Sequence, residues 1–145
     1  MSNSNTPKSP KITTGGIVHF ARMLDKARLH LAGRLPADYT ANLGDAQPGT
    51  FDDCTLKFLG VKYADVLARL REGFDDGALL EWCFANGRGR PDAREIAVWN
   101  AYMAKMGWRD ETSAFVAELK AAAGWQNRDD IQTFFDIIEA DEGRM

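Results

Sequence analysis

Cysteines, long apolar runs and signal-like segments are scarce in this chain. Its 145 residues include only two cysteines, Cys54 and Cys83, which is too few for the disulfide framework of a small secreted domain. No apolar run approaches the ~18 residues that a membrane-spanning helix requires, so we expect no membrane association. The N-terminus has no apolar segment after its charges, unlike a secretory signal. We therefore predict a soluble cytoplasmic protein with reduced thiols.

Motifs that carry chemistry are also missing. The sequence contains no HExxH, GxSxG, CxxC or GxxxxGK[ST] pattern. His19 and His30 would lie about 16 Å apart along one helix, so one metal ion cannot bind both. The acid pair Asp52–Asp53 beside Cys54 looks exposed, and it would raise the pKa of the thiol rather than activate it. We predict no metal and no cofactor, and whether the chain is an enzyme stays open.

Helical periodicity is what the chain does contain. Hydrophobic residues make up 45% of the sequence, enough for one core at this length. Apolar residues recur at helical spacing, as in Ile131, Phe134, Phe135 and Ile138, whereas no strict apolar–polar alternation predicts a strand. The predicted fold is all-α, a compact single-domain bundle of about six or seven helices over residues 15–145. The helices are expected at 16–32, 52–59, 63–72, 76–86, 92–106, 111–123 and 128–142.

Two segments fall outside the predicted helices. Residues 1–14 are rich in Ser, Asn, Pro and Lys and are predicted to form a flexible tail. Residues 34–51 contain Pro36, Gly44 and Pro48 and are predicted to form a long ordered loop. A loop of this length is uncommon in a compact domain, so it is a place to look for function.

The net charge of −3 hides opposite charges at the two ends. Residues 1–34 carry six basic side chains and one acidic one, and residues 110–145 carry three basic and nine acidic ones. Arg28 falls on the apolar stripe of the first predicted helix, where a buried guanidinium needs an anionic partner. Glu142 lies one turn beyond the apolar run of the last helix, so we predict a structural Arg28–Glu142 pair, with Asp141 or Asp136 as the next choices. The alternative is that the Arg28 side chain extends along the apolar surface into water.

A basic face on the first helix is a candidate anion site. His19, Met23, Lys26 and His30 lie within about 60° of one another on this helix, nearly opposite its apolar stripe. We predict a solvated basic face that can hold a phosphate or carboxylate through charge-assisted hydrogen bonds. The turn at 86–91 adds a weaker signal, because glycines and arginines there precede a helix N-terminus. The candidate ligand-binding residues are Arg22, Lys26, Arg28, His30, Arg88 and Arg90.

Long segments of the chain resemble a known family of bacterial proteins. The resemblance is to the family called domain of unknown function 5069, and it covers nearly everything after the first 14 residues. It implies a bacterial, stand-alone domain of about this size, and it implies no activity that a residue could inherit. The segments that carry it are FARMLDKARLHLAGRLPADYTANLG (20–44), FLGVKYADVL (58–67), LLEWCFANGR (79–88), WNAYMAKMGWRDE (99–111) and RDDIQTFFDIIEADEGR (128–144).

Three functions are compatible with these features. The first is a helical domain that binds a small anionic ligand or a protein partner. The second is an enzyme of unrecognised type, which would need a His, an acid and perhaps Cys54 or Cys83 within hydrogen-bond reach in one cleft. The third and weakest is nucleic-acid binding through the basic first helix, because basic residues are few and the total charge is negative.

Overall fold

The computed structural model describes residues 5–145, and the contacts of the chain fall into two units. The first unit ends at Ile96 and the second comprises Ala97–Met145. The single domain over 15–145 stays a prediction. The all-α prediction is confirmed, since residues 5–145 form seven α-helices, one 3₁₀ helix and one small two-stranded sheet. No helix among these residues is both long enough and apolar enough to cross a membrane.

The first unit contains the sheet and the first four helices. Its elements, in chain order, are β1 (Thr13–Thr14), β2 (Ile17–Val18), α1 (Phe20–Leu31), a 3₁₀ helix (Ala37–Asn42), α2 (Phe51–Leu59), α3 (Tyr63–Arg71) and α4 (Asp76–Asn86). Helix α5 (Ala93–Lys105) begins in the first unit and ends in the second, which also holds α6 (Ser113–Ala123) and α7 (Phe134–Asp141).

A tight hairpin precedes α1, where the sequence predicted helix from residue 16. Strands β1 and β2 pair antiparallel and are joined by Gly15 and Gly16, which have φ values of 56° and 81°. Two consecutive residues with positive φ form the turn that matches strand twist in a two-residue hairpin. Apolar–polar alternation cannot reveal strands of two residues, so this part of the prediction was wrong. The consequence is that α1 starts four residues later than expected.

Helix α1 is buried on most of its surface. Eight of its twelve residues are buried, including Arg22 and Lys26. The helix contacts β1, α2 and α3, so little of its circumference is left for solvent. The prediction of a solvated basic face was therefore wrong for His19, Met23 and Lys26, which are buried, whereas His30 is exposed.

Two other segments also depart from expectation. Residues 1–4 of the predicted flexible tail lie outside the described residues, whereas Pro7, Ser9 and Pro10 are buried. The backbone amide of Lys8 donates to Asp25 Oδ2 at 2.9 Å, which ties this segment to α1. The predicted loop at 34–51 contains the 3₁₀ helix, so it is more regular than the sequence indicated.

The last helix is shorter than its apolar period predicted. Helix α7 begins at Phe134, because Thr133 and Asp136 form a capping box at its start. The residues before it form a turn that Lys120 holds from α6. Its Nζ donates to the carbonyl oxygens of Arg128 at 2.7 Å and Ile131 at 2.8 Å.

Candidate functional site

A buried cluster of three charged or titratable side chains lies in the first unit. Asp52 accepts a hydrogen bond from His19 Nε2 at Oδ1, at 2.7 Å, and its Oδ2 lies 3.0 Å from Lys26 Nζ. The same Oδ2 accepts from the backbone amide of Gly44 at 2.8 Å, and Lys26 also donates to the carbonyl of Asn42 at 3.0 Å. The side chain of Asp52 has no exposed surface. We call His19, Lys26 and Asp52 the buried triad.

Local structure places each member of the triad. Helix α2 begins after Thr50, whose side chain accepts from the amide of Asp53, so Asp52 lies in the first turn of α2. Lys26 follows His19 by two helical turns and lies on the same side of α1. Gly44 and Asn42 come from the middle of the predicted loop at 34–51, which therefore supplies backbone groups to the site.

His19 has an uncommon backbone conformation for a residue with a side chain. It precedes α1 with φ 70° and ψ −24°, in the left-handed region, which is disfavoured for most residues but tolerated by His, Asn and Asp. Its amide donates to the carbonyl of Pro10 at 2.9 Å, and its ring packs edge-on against Phe51 at 5.5 Å. Such strained conformations persist where the surroundings fix them and are common at functional sites.

The charges of the triad follow from burial and pairing. Burial acts to raise the pKa of Asp52, but the His19 hydrogen bond, the Lys26 charge and the Gly44 amide outweigh it and lower the pKa below its ordinary value. Burial lowers the pKa of His19 by more than its bond to Asp52 raises it. Near neutral pH the cluster therefore holds a carboxylate, an ammonium group and a neutral imidazole.

The tautomer of His19 leaves one ring nitrogen without a hydrogen. A carboxylate only accepts hydrogen bonds, so Nε2 carries the proton and Nδ1 presents a lone pair. That Nδ1 is buried and has no hydrogen-bond partner among the described residues. An unsatisfied buried polar group costs about 1–3 kcal/mol, so this atom requires an explanation.

A second buried polar atom without a partner belongs to Tyr63, whose pKa is affected by the charge of Asp52. The hydroxyl of Tyr63 makes no hydrogen bond within the described part of the chain. Burial raises the pKa of Tyr63 far above its usual value, and the charges of Asp52 and Asp45 add to this rise. Its ring packs so closely on Gly44 that an added Cβ there would lie 2.5 Å from it. The hydroxyl is therefore protonated and remains a potential donor.

This geometry can accept a proton or a hydrogen bond at a defined atom. An imidazole oriented by a carboxylate is the usual arrangement of a general base. The two thiols contribute no nucleophile, since burial, aided by Asp53, raises the pKa of Cys54, and burial raises that of Cys83 to about 12. Three His, Cys, Asp or Glu side chains do not converge into a metal-binding group anywhere in residues 5–145.

A comparison with known protein families finds one family that matches nearly the whole chain. The family described as a domain of unknown function (DUF5069) matches residues 4–144. The chain belongs to the DUF5069 family. A comparison with curated proteins finds no match. The family description names no activity, so function has to be argued from the residues of this chain.

The candidate anion ligands on α1 of the DUF5069 chain do not form one site. Lys26 belongs to the buried triad, whereas Arg22 Nη1 donates to the carbonyl of Lys8 at 3.0 Å. Arg28 Nη2 lies 2.6 Å from Asp76 Oδ1, and His30 is exposed. Because Arg22 and Lys26 are buried, α1 presents little of the basic surface that nucleic-acid binding through it would require.

The two arginines of the 86–91 turn are also engaged with side chains. Arg88 forms an ion pair with Glu95 and places its guanidinium 5.2 Å from the ring centre of Phe58. Arg90 pairs with Glu81 and stacks at 4.7 Å on the ring of Phe84. Each guanidinium thus already has a carboxylate, and these contacts fix the turn between α4 and α5.

The predicted Arg28–Glu142 pair joins residues of different units. Within the first unit Arg28 has the carboxylate of Asp76 as its partner. Within the second unit Glu142 accepts from Arg144 Nη1 at 2.6 Å. The pair itself stays a prediction, and the carboxylate that faces Arg28 was not among those the sequence singled out.

Sequence reasoning also missed the role of Asp52 in the DUF5069 chain. The sequence predicted Asp52 as half of an exposed acid pair, but its side chain has no exposed surface. A signal was present, because Thr50 and Asp53 have the spacing of a helix N-cap and its N3 residue, which places Asp52 in the first turn. What the pattern could not show is that this turn faces His19 and Lys26.

Proposed function

We propose that the protein binds a small acidic molecule at His19, with Nδ1 accepting the acidic hydrogen of the ligand. The observation that carries this proposal is the buried Nδ1 lone pair without a partner, beside a carboxylate with three donors. In a cluster that is otherwise so well satisfied, the atom that lacks a partner is the one available to a ligand.

The chemistry of the triad favours an acid over a neutral polar ligand. If the proton moves to Nδ1, the imidazolium is stabilised by Asp52, whose carboxylate lies 2.7 Å from Nε2. The ligand is then an anion beside the imidazolium, which itself lies on Asp52, so each new charge forms close to an opposite charge. A carboxylic acid or a phosphate monoester fits this requirement, in keeping with the small anionic ligand expected from the sequence.

Access to the site requires a transient opening. His19 is only 1% exposed, so a ligand has to wait for neighbouring groups to move. We expect association to be slower than the roughly 10⁵–10⁷ M⁻¹s⁻¹ typical of exposed sites. A slow approach to equilibrium would distinguish this site from weak binding at the surface.

The substitution H19Q tests the proposal while sparing the bond to Asp52. The amide nitrogen of Gln takes the place of Nε2, whereas nothing replaces the Nδ1 lone pair. We would screen small carboxylates and phosphate monoesters by thermal shift. A ligand at 100 times its Kd stabilises the native state by about 2.7 kcal/mol, which corresponds to roughly 5–11 °C. The shift should appear with the wild-type chain and vanish with H19Q.

The exposed histidine provides the matched control. H30Q changes the same residue type on the same helix without touching the triad, so its thermal shift should equal that of the wild type. A shift that survives in H19Q, or one that disappears equally in H30Q, would show that ligands bind elsewhere.

An enzyme that uses the same histidine as a general base is the second candidate. It is favoured by one observation, the 2.7 Å bond between His19 and Asp52, which orients the imidazole as a catalytic carboxylate does. If the molecule identified by thermal shift is chemically changed on incubation with the wild type, and unchanged with H19Q, catalysis replaces simple binding as the function. An unchanged ligand after prolonged incubation would leave binding as the function.

A further inference from the structure

A separate cavity lies entirely within the second unit. It has a volume of about 280 Å³ and lies between the turn after α5, helix α6 and the turn before α7. Its apolar lining includes Val116, which is 4% exposed, and Trp108, which is 42% exposed, whereas Ile131 behind them is fully buried. The full lining is Gly107, Trp108, Arg109, Ser113, Val116, Ala117, Lys120, Ile131 and Gln132.

The two charged side chains that line this cavity, Arg109 and Lys120, are both basic. The second unit has nine acidic and five basic side chains, yet the lining includes two of the bases and no acid. The ammonium of Lys120 is held by the carbonyls of Arg128 and Ile131. Arg109 is exposed and forms no ion pair with any described residue, so its guanidinium is the cation that a ligand can use.

Arg109 is fixed in an unusual conformation. Its φ is 51°, and His19 is the only other non-glycine residue within 5–145 that has a positive φ. The turn that imposes this conformation is held by Asp110, which accepts from the amides of Gly107 at 3.0 Å and Thr112 at 2.9 Å. The guanidinium stacks on the ring of Trp108 at 5.1 Å. Strain that the surroundings maintain at an exposed residue is a reason to look for a ligand.

The floor and the polar rim fit a ligand with two different ends. Gly107 packs tightly against α6 at one side of the cavity, because a Cβ there would lie 2.6 Å from Val116 Cγ2. The side-chain amide of Gln132 makes no hydrogen bond within the described chain, and Ser113 Oγ only accepts one, from Asp110. The cavity therefore offers an apolar floor, a cation on a 42% exposed indole and unused donors.

We infer that this cavity is a second ligand site, for a small oxyanion that carries an apolar or aromatic group. The guanidinium of Arg109 binds the oxyanion through paired N–H donors. The apolar group lies on Val116 beside the exposed indole of Trp108. The inference uses no residue of the buried triad, so it stands or falls independently of the function proposed for His19.

Titration of the full chain by ¹H–¹⁵N NMR tests the inference. The probes are phenyl phosphate and benzoate, with inorganic phosphate and benzyl alcohol each supplying one half of the ligand. We expect saturable shifts of the Trp108 indole N–H and of amides in 107–117 with the two complete probes, at concentrations up to about 10 mM, above the millimolar Kd of weak ligands. Either half alone should bind at least tenfold more weakly.

The substitution R109G separates binding from folding. Glycine accepts positive φ without strain, so the variant should melt at or above the wild-type temperature while losing the shifts. R94A, which removes an exposed arginine in the first unit, should keep them. Shifts that persist in R109G, that are absent in the wild type, or that benzyl alcohol or inorganic phosphate reproduces at equal strength would overturn the inference.

Discussion

Replacing Asp52 by asparagine should destabilise the protein more than any change at an exposed charge. The carboxylate accepts from three donors, His19 Nε2, Lys26 Nζ and the Gly44 amide. The side-chain amide of the D52N variant keeps one acceptor oxygen and puts a donor in place of the other, so at least one N–H faces another N–H. The ammonium of Lys26, 5% exposed in its side chain, also loses the carboxylate that faces it.

The size of this loss follows from burial. Breaking a buried ion pair by removing one partner costs about 3–5 kcal/mol, which is a large part of the roughly 5–15 kcal/mol that stabilises a typical domain. Taking about 4 kcal/mol and a urea m value of about 2 kcal/mol/M, the unfolding midpoint of D52N should fall by roughly 2 M. Tryptophan fluorescence during urea denaturation measures this midpoint.

The neighbouring acid provides the control, and a double variant tests the reasoning. Asp53 is itself 7% exposed, but it pairs with Lys57, whose side chain is 71% exposed. D53N therefore leaves no buried cation without a carboxylate and should cost only about 1 kcal/mol. K26M combined with D52N should lose less than the sum of the two single losses, because the buried cation is gone. Equal losses for D52N and D53N, or strictly additive losses, would refute the account of the triad.

Two further predictions concern pH and backbone conformation. Burial holds the pKa of His19 below its usual value near 6.5, so below about pH 6.5 the unfolded chain binds a proton that the folded chain does not. The free energy of unfolding should therefore fall with falling pH in that window, by up to about 1.4 kcal/mol per pH unit. Urea titrations between about pH 5 and 7 should show this slope in the H30Q variant, in which His19 is the remaining histidine, and a flatter slope in H19Q. An unchanged slope in H19Q would contradict the assignment. G44A, at φ 56° with an added Cβ 2.5 Å from the Tyr63 ring, should cost about 2–4 kcal/mol. G49A, at φ 84° with open space around it, should cost only about 1 kcal/mol, and equal thermal-melt losses would show that the contact with Tyr63 is unimportant.

The sequence predicted the helices well because their signals are local. Asp75 directly precedes α4 and accepts from the amide of Ala78, as an N-cap residue does. Gly60 and Gly124 end helices with φ values of 72° and 78°. The errors occur where a short turn interrupts a segment whose apolar residues have helical spacing. The Gly15–Gly16 turn produced a hairpin inside a helical period.

The candidate site was harder to predict because its partners are distant along the chain. Periodicity placed His19 and Lys26 on one face of α1 correctly, but it assigned that face to water. The sequence pattern of a polar helix face is the same whether water or a carboxylate pairs with its side chains. The carboxylate here lies 33 residues beyond His19 in the sequence, so helical periodicity could not reveal it. The strained φ of His19 and Arg109 has no sequence signal, since both residue types usually adopt ordinary conformations.

The hydrogen bond from the Gly44 amide to Asp52 should make residues 42–44, which lie outside any α-helix, open as slowly as the helices that they contact. If residues 42–44 moved away alone, the carboxylate and the Lys26 ammonium would each lose a partner while staying buried. We therefore expect α1, residues 42–44 and the start of α2 to become exposed to solvent together, as one cooperative unit of the kind seen in native-state hydrogen exchange. The Gly44 amide, although it lies outside the regular helices, should exchange with solvent as slowly as amides in the centre of α1.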